Sequence, residues 1–386
     1  MAISEFRDEL VSSTRTFVEK SVMPVVMDME RRDEFPEEII RQMAEMGHFG
    51  MLIPQQYGGL ELDLGTYWRV IAELSRGWMS LGGAINSHAI TGHLINKFGS
   101  DELREAHLPA MAAGEKRAAL AMTEAGAGSD IAAITTRAVR SGDEYIVNGS
   151  KMFITNGQRA GLVLLMAVTD PDAQPAYRGI SMLLAERGPG LEAGQPIHKL
   201  GYKGIETVEL SFTDLRVPVS GLLGDEEGQG FYHAMDGSEV GRINVAARAI
   251  GVARAALEEA MAYASERETF GKPISKHQGI QFMLADMATQ LTAATTLLDH
   301  ACTLKQTGAR VDGEIGMAKL YATEMALKVT TDSMRIHGGY GYTNEFAVER
   351  LYREAPQMVV AEGTNEIQKL VVSRALMNGT CAYGVG

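Results

Sequence analysis

The hydrophobic period of this chain changes twice, and that pattern limits the folds open to it. Between about residues 119 and 228, polar and apolar residues alternate in strand-like runs such as "EYIVNGSKMFIT", separated by turn signals. Before and after this block, apolar residues recur at helical spacing, as in "EEIIRQMAEMGHFGML" and "RINVAARAIGVARAALEEAMAYASERE". The sequence lacks the strand–helix–strand alternation that would indicate a doubly wound sheet.

We therefore predict an α+β protein of three domains. They are an N-terminal all-α domain (1–118), a middle antiparallel β domain (119–228) and a C-terminal α-helical bundle (229–386). The long apolar segment "QGIQFMLADMATQLTAATTLLDHACTLKQ" suits a bundle helix that also buries contacts between subunits.

Charge and apolar content exclude several classes of function. The net charge of −13 argues against nucleic acid as a partner, because no basic surface follows the phosphates. No apolar run approaches the roughly 20 residues of a membrane span, and "MAISEFRDEL" lacks the apolar core of a signal peptide. The two cysteines, Cys302 and Cys381, provide neither a disulfide framework nor a metal-binding spacing. We expect a cytoplasmic protein.

One acidic residue, Glu362, interrupts the apolar run in "VVAEGTNEIQ". One interpretation is a helix N-terminus, with Thr364 or Asn365 as the cap and Glu366 in the first turn. The other is a catalytic base, desolvated so that its pKa rises toward the working pH. The local pattern alone favours the first.

Two further stretches could bind a ligand at the β domain. In "LAMTEAGAGSD", Gly126, Gly128 and Ser129 could turn backbone N–H groups to one side as an anion-binding nest, or could form an ordinary tight loop. In "GSKMFITNG", Phe153 and Thr155 share one face of a strand and could contact a flat heterocycle, although an ordinary hairpin has the same pattern.

Two stretches of the helical block could also bind a ligand. "ERETFGKPISKHQ" places Arg267, Thr269, His277 and Gln278 in a basic turn that is either a phosphate site or a solvated loop. "RIHGGYGYTNE" contains glycines that permit close approach of a ligand to the backbone, or that end a helix. His88 and His93 lie on different helix faces, so we expect no metal site.

Five motifs in this order, "TEAGAGSD", "FITNG", "RETFGK" with "HQ", "HGGYGY" and "EGTNEIQ", resemble the acyl-CoA dehydrogenase family over essentially the whole chain. The resemblance implies a helical domain, a β domain of two packed sheets and a four-helix bundle. It also implies FAD in the crevice between the β domain and the bundle, with its adenine half reaching a neighbouring subunit of a homotetramer.

The resemblance assigns residues to three roles. Glu362 would be the base that removes the α proton of an acyl-CoA thioester, while the β hydrogen leaves as hydride to flavin N5. The thioester carbonyl would bond the flavin ribityl hydroxyl and the N–H of Glu362. Substrate contacts would come from Ser129, Glu239, Arg242 and Gly363. Contacts to FAD would come from Met122, Thr123, Gly128, Ser129, Phe153, Thr155, Arg267, Thr269, Phe270, His277, Gln278, Arg335, Gly338, Gly339, Thr364 and Glu366.

Two departures from the family pattern bear on the substrate. Some members carry the base just before the arginine matching Arg242, where this chain has Gly241, and many have a bulky aromatic where this chain has Ala361. Relatives that use dicarboxylates place an arginine at the position aligned here with Met79. Arg76 is near that position in the sequence, but three residues along a helix give its side chain a different reach. We therefore expect a short-to-medium or branched apolar acyl chain, because a carboxylate buried without a cation is costly.

The physiological electron acceptor stays open at this point. The resemblance implies an electron-transferring flavoprotein. Alternatives are an oxidase or monooxygenase that reacts with oxygen, a dehydrogenase acting on a carrier-protein-bound acyl group, and a catalytically silent scaffold.

Overall fold

The computed structural model describes residues 3–381, and the ends of the predicted outer domains (1–2 and 382–386) lie outside it. Helices of the first block are α1 Ile3–Phe17, α2 Val26–Arg31, α3 Glu37–Glu45, α4 Leu64–Gly77, α5 Met79–Phe98 and α6 Asp101–Ala112. Helices of the last block are α7 Gly230–Glu266, α8 Gln278–Gln306, α9 Asp312–His337, α10 Ala347–Val360 and α11 Asn365–Met377.

The middle block contains the main β structure. Its strands are β1 Ala118–Ala121, β2 Arg137–Ser141, β3 Glu144–Thr155, β4 Leu162–Val168, β5 Ile180–Glu186, β6 Leu191–Ala193 and β7 Thr207–Pro218. The order is β1-β4-β2-β3-β7-β6, and β5 also pairs with β4. The ladders are antiparallel except that β1 and β2 run parallel to β4, because the β2–β3 excursion separates β1 from β4. A two-stranded ladder, β8 Glu268–Thr269 with β9 Lys272–Pro273, follows α7.

The predicted helix–sheet–helix fold is confirmed. One core cluster joins the helical blocks and one side of the sheet, and a second lies among the strands themselves. The predicted domain boundaries stay a proposal; β1 begins at Ala118 and α7 at Gly230. Within residues 3–381, no helix is both long and apolar enough to cross a membrane.

The position of α7 explains how the blocks assemble around a site. From Gly237 to Ala256 almost every residue is buried, so this helix has no solvent face there. It packs on α4 and α5 of the first block and on α8, α9 and α10 of the last. Gly251 permits the contact with α4, since a Cβ there would lie 2.3 Å from the Ala72 carbonyl oxygen.

Candidate functional site

Glu362 lies in the short connection between α10 and α11. Ala361 ends α10 in an extended conformation, and Glu362 and Gly363 then adopt left-handed backbone angles, with φ of 52° and 81°. Thr364 caps α11 by accepting a hydrogen bond from the Ile367 N–H at 3.3 Å, which confirms the predicted helix N-terminus. A left-handed conformation at a non-glycine residue costs free energy, and such residues cluster at functional sites.

The Glu362 side chain reaches between α5 and α7. The Asn86 amide of α5 donates to Glu362 Oε1 at 2.7 Å. On α7, a Cβ added to Gly241 would lie 2.5 Å from Glu362 Oε2, so any larger residue there would displace the carboxylate. The two acidic positions distinguished from the sequence, 241 and 362, therefore share one space, and this chain fills it from the loop.

Burial raises the pKa of Glu362 above its ordinary value. The Arg248 guanidinium, the Asn86 amide, the Arg242 guanidinium and the Lys319 ammonium each oppose that rise, in this order. Desolvation outweighs them, so the carboxylate is a stronger base than one exposed to water.

Lys319 and Gln368 fix the backbone on both sides of Glu362. The fully buried Lys319 ammonium donates to the carbonyl oxygens of Val359 at 3.1 Å and Gly363 at 3.0 Å, and to Asn365 Oδ1 at 2.8 Å. The Gln368 amide donates to the Gly363 carbonyl at 2.9 Å. The N–H of Glu362, in contrast, makes no hydrogen bond within residues 3–381, so a donor next to the carboxylate stays available.

The predicted strand pair lies close to this carboxylate through α5. Phe153 sits in a bulge of β3 with φ of 62° and a 62% exposed side chain, and the half-buried Thr155 hydrogen-bonds Tyr202. The next residue, Asn156, donates to the Ala84 carbonyl oxygen of α5 at 2.9 Å, two residues from Asn86. Helix α5 is thus connected to the strand that carries Phe153 and Thr155 through Ala84, and to the Glu362 carboxylate through Asn86.

The "TEAGAGSD" loop is joined to the same end of β3. The Met152 N–H donates to the Thr123 carbonyl at 2.8 Å, and buried Lys151 pairs with Glu124 at 2.9 Å and donates to the Met122 carbonyl at 3.0 Å. Gly128 and Ser129 follow this anchored part of the loop, where a Cβ on Gly128 would meet nothing within 4 Å. The predicted flavin-side residues therefore adjoin Phe153 and Thr155 through β3.

Two other predicted stretches meet at a separate cavity of about 470 Å³. Arg267 and Thr269 line one side, and Gly338 and Gly339 line the other. His277 is within hydrogen-bond range of Thr269 Oγ1, at 3.1 Å, and it precedes Gln278, the first residue of α8. Arg267 is 26 positions along α7 from Gly241 (267 − 241), about 39 Å at 1.5 Å per residue. The cavity is therefore well separated from the Glu362 carboxylate, which meets α7 at Gly241.

The remaining predicted residues lie around these two places. Phe270, beside the cavity, is 96% exposed with φ of 50°. The exposed Arg335 side chain donates to Asp332 at 2.8 Å. Glu239 accepts from Lys305, and burial raises its pKa, while Arg242 is buried beside Glu362. Glu366 is exposed on the first turn of α11, where its own backbone N–H lowers its pKa.

Sequence reasoning did not identify Asn86, Lys319 or Gln368. Each is buried and polar within a helix. A polar residue in the apolar helix α5 is the only signal for Asn86, and the same signal marks Ser80, Ser87 and Thr91, which do not contact Glu362. Within residues 3–381, no cluster of histidine, cysteine or acidic side chains could hold a metal ion.

Family comparisons cover nearly all of the chain. The family model described as acyl-CoA dehydrogenase, N-terminal domain, matches residues 4–115; the middle-domain model matches 119–215, and the C-terminal-domain model matches 228–377. An acyl-CoA dehydrogenase of Bacillus subtilis is 42% identical over 368 residues, 95% of this chain and 96% of that protein. An acryloyl-CoA reductase (NADH) of Anaerotignum propionicum is 40% identical over 381 residues, 97% and 95% of the two chains.

Two solved structures have the same fold. Butyryl-CoA dehydrogenase from Megasphaera elsdenii superposes with a TM-score of 0.94 at 35% identity, over 98% of this chain and 99% of that one. A chain from structural work on the electron transferring flavoprotein of Acidaminococcus fermentans has a TM-score of 0.93 at 40% identity, over 96% and 97% of the two chains.

Proposed function

This chain belongs to the acyl-CoA dehydrogenase family of flavin-dependent oxidoreductases, and on that premise we propose that it converts a saturated acyl-CoA thioester to the trans-2-enoyl-CoA. The observation that carries the proposal is the Glu362 residue itself. It combines a desolvated carboxylate, held by Asn86, with a backbone N–H that no group of the described chain occupies.

The residues present fit FAD. An exposed aromatic on a bulged strand, Phe153, provides a flat surface beside Thr155, and the cavity near Arg267 offers a guanidinium opposite two glycines without side chains. A guanidinium and glycine N–H groups are suitable donors to a pyrophosphate. When bound, FAD supplies the hydride acceptor that the protein lacks. We propose that Met122, Thr123, Gly128, Ser129, Thr364 and Glu366 complete its surroundings.

Glu362 performs the proton transfer in this proposal. A thioester α proton is too weakly acidic for a carboxylate unless the enolate is stabilised, so the donor and the base must act together. The N–H of Glu362, which has no partner in the described chain, is available to the developing oxyanion, and one such donor contributes about 3 kcal/mol. Asn86 holds Oε1 while the carboxylate accepts the α proton, and Lys319 and Gln368 keep the loop from moving away.

The proposal extends to the substrate and the electron partner. We propose that the CoA portion contacts Ser129, Glu239, Arg242 and Gly363. Ala361 leaves room for a short-to-medium or branched acyl chain beside the reacting carbons. Electrons pass to an electron-transferring flavoprotein, a proposal supported by the likeness to the Acidaminococcus fermentans chain.

The test compares wild type with Glu362→Gln. We expect both to bind FAD and appear yellow, and only the wild type to lose flavin absorbance when an acyl-CoA is added without oxygen, because glutamine cannot accept the proton. Bleaching of Glu362→Gln at the wild-type rate would overturn the assignment. Admitting air afterwards tests the acceptor, since rapid recovery of absorbance would indicate an oxidase and slow recovery a dehydrogenase.

A further inference from the structure

Arg248 is a buried cation on α7 with few partners. Its side chain is 2% exposed. Of its N–H groups, Nη1 donates to Gln357 Oε1 at 3.3 Å, and buried Nε has no hydrogen-bond partner within residues 3–381. A buried charge that is only partly hydrogen-bonded and has no ion pair costs much free energy, so its retention needs a reason.

Of the three other buried arginines of the described residues, Arg76 and Arg350 have carboxylate partners, whereas Arg242, beside Glu362, forms no ion pair. Arg76, 6% exposed, forms ion pairs with Glu73, Glu19 and Glu258, and Arg350 forms one with Glu354 at 3.1 Å. These pairs also show that Arg76, considered from the sequence as a possible substrate cation, is already neutralised. No ion pair involves Arg248 within the described chain.

The surroundings of Arg248 place it in the wall of the acyl site. It lies seven positions, about two helical turns, beyond Gly241, so both residues occupy one face of α7. Its Cγ atom would lie 3.0 Å from a Cβ on Gly82 of α5, and its guanidinium carbon lies 5.6 Å from the centre of the Tyr202 ring. Tyr202 in turn bonds Thr155, and Gln357 precedes Glu362 by five residues. The cation is therefore enclosed by the elements that hold the base.

We propose that Arg248 binds a carboxylate at the far end of the acyl group, so that the substrate is a short dicarboxylic acyl thioester. This inference rests on the proposed function and names its substrate class. Gly82, beside the Arg248 side chain, and Asn86, beside the Glu362 carboxylate, are four residues apart on α5, or about 6 Å. That spacing corresponds to an acyl chain of a few carbons.

This proposal revises the expectation of a wholly apolar chain. That expectation considered one position of α5, and Met79 is indeed fully buried at the start of that helix. The structure brings a cation to the same region from α7 instead. The methylene carbons next to Ala361 stay apolar, and only the distal end carries charge.

The test measures kcat/KM of wild type, Arg248→Met and Arg248→Lys with glutaryl-CoA and butanoyl-CoA, by flavin reduction under one set of conditions. We expect wild type to prefer glutaryl-CoA. Arg248→Met should lose about 100-fold more with glutaryl-CoA than with butanoyl-CoA, mainly through KM, because it removes one partner of a buried ion pair. Arg248→Lys should recover part of that loss, since lysine keeps the positive charge but not the two parallel N–H donors with which a guanidinium binds a carboxylate.

Binding without turnover gives an independent measurement. Calorimetry on Glu362→Gln, with and without the second substitution Arg248→Met, should show that this second change weakens the binding of glutaryl-CoA far more than the binding of butanoyl-CoA. Equal losses for both thioesters would overturn the inference. Wild-type preference for butanoyl-CoA would also overturn it, with the reaction class intact. Failure of every thioester to reduce the bound flavin would overturn the proposed function and this inference together.

Discussion

At the scale of single residues, Glu362 is set apart by what surrounds it. Its sequence context also describes an ordinary helix start, and Thr364 does cap α11. The capping and the acid–base role are compatible, because the carboxylate points away from the cap toward α5 and α7. A neighbouring amide and several cations oppose the rise in the pKa of Glu362 that burial causes, so each of these groups would adjust the pH at which the proposed base becomes active.

Asn86→Leu removes the amide that holds the carboxylate. Because the Asn86 amide lowers the pKa of Glu362, its loss should raise that pKa further and shift the acid limb of the kcat/KM–pH profile to higher pH. Activity should therefore fall more at pH 6 than at pH 9. The matched Asn148→Leu, on the exposed part of β3, should leave the limb in place. An unmoved or lowered limb in Asn86→Leu would show that the amide does not act on the base.

At the scale of elements, the loop between α10 and α11 is held by a helix distant in sequence. Lys319 of α9 connects the end of α10, the loop and the start of α11 through three hydrogen bonds. Burial lowers the pKa of Lys319 to about 8, which measures how unfavourable its position is for a charge. A costly ammonium that satisfies three acceptors is well suited to fix a strained loop.

Lys319→Met should lower both stability and turnover. Leaving the Val359 carbonyl oxygen without its side-chain donor, and the Gly363 carbonyl oxygen with the Gln368 amide alone, should reduce the free energy of unfolding by about 2 kcal/mol. Flavin content should stay near wild type while kcat falls, because the base is no longer fixed. Urea unfolding and single-turnover flavin reduction give the two quantities.

Lys328→Met is the control on the same helix. Lys328 is 52% exposed and, among the described residues, forms an ion pair with Asp332 alone, across one turn, so its removal should cost under about 0.5 kcal/mol. Equal effects of the two variants on turnover would contradict a positioning role for Lys319.

At the scale of the whole molecule, the two groups of proposed flavin-binding residues lie far apart along the chain's longest described helix, α7. Arg267, at the cavity with Gly338, lies about 39 Å along the helix axis from Gly241, and we propose that a flavin near Phe153 and Thr155 reaches the corresponding cavity of a second chain. Two exposed aromatic side chains follow Thr269 of this cavity in the sequence. They are Phe270, which is 96% exposed, and Phe282, which is 60% exposed, and a partner chain could bury both. We propose a homotetramer, a dimer of dimers, on these grounds.

Arg267→Ala tests this arrangement, because one side chain is assigned to both cofactor binding and assembly. We expect flavin loss of at least about tenfold in affinity together with a smaller particle by light scattering. Arg140→Ala, an arginine on the exposed surface of β2, should change neither. A wild-type monomer that keeps its full flavin content would rule out the shared site.

The sequence by itself determined the order of blocks, the family and the residues that its motifs contain. The spacing of apolar residues in strands and helices is a local property, so short stretches of sequence were enough to locate the boundaries between the helical and β blocks. The "EGTNEIQ" motif likewise identified Glu362, and Gly241 marked the other acidic position as vacant.

Only the tertiary structure decided what surrounds those residues. Asn86 meets Glu362 across 276 positions of sequence, and Lys319 reaches Gly363 across 44. Helix α7 is buried on every side around Arg248, so its pattern cannot indicate which neighbour Arg248 faces. An arginine in an apolar helix is read from the sequence as a charge, but whether a carboxylate, a hydrogen bond or a substrate completes it depends on packing. The sequence alignment therefore directed attention to Met79 as the position for a cation that binds the substrate. Only the packing of α5, α7 and α10 shows that Arg248 lies in that region.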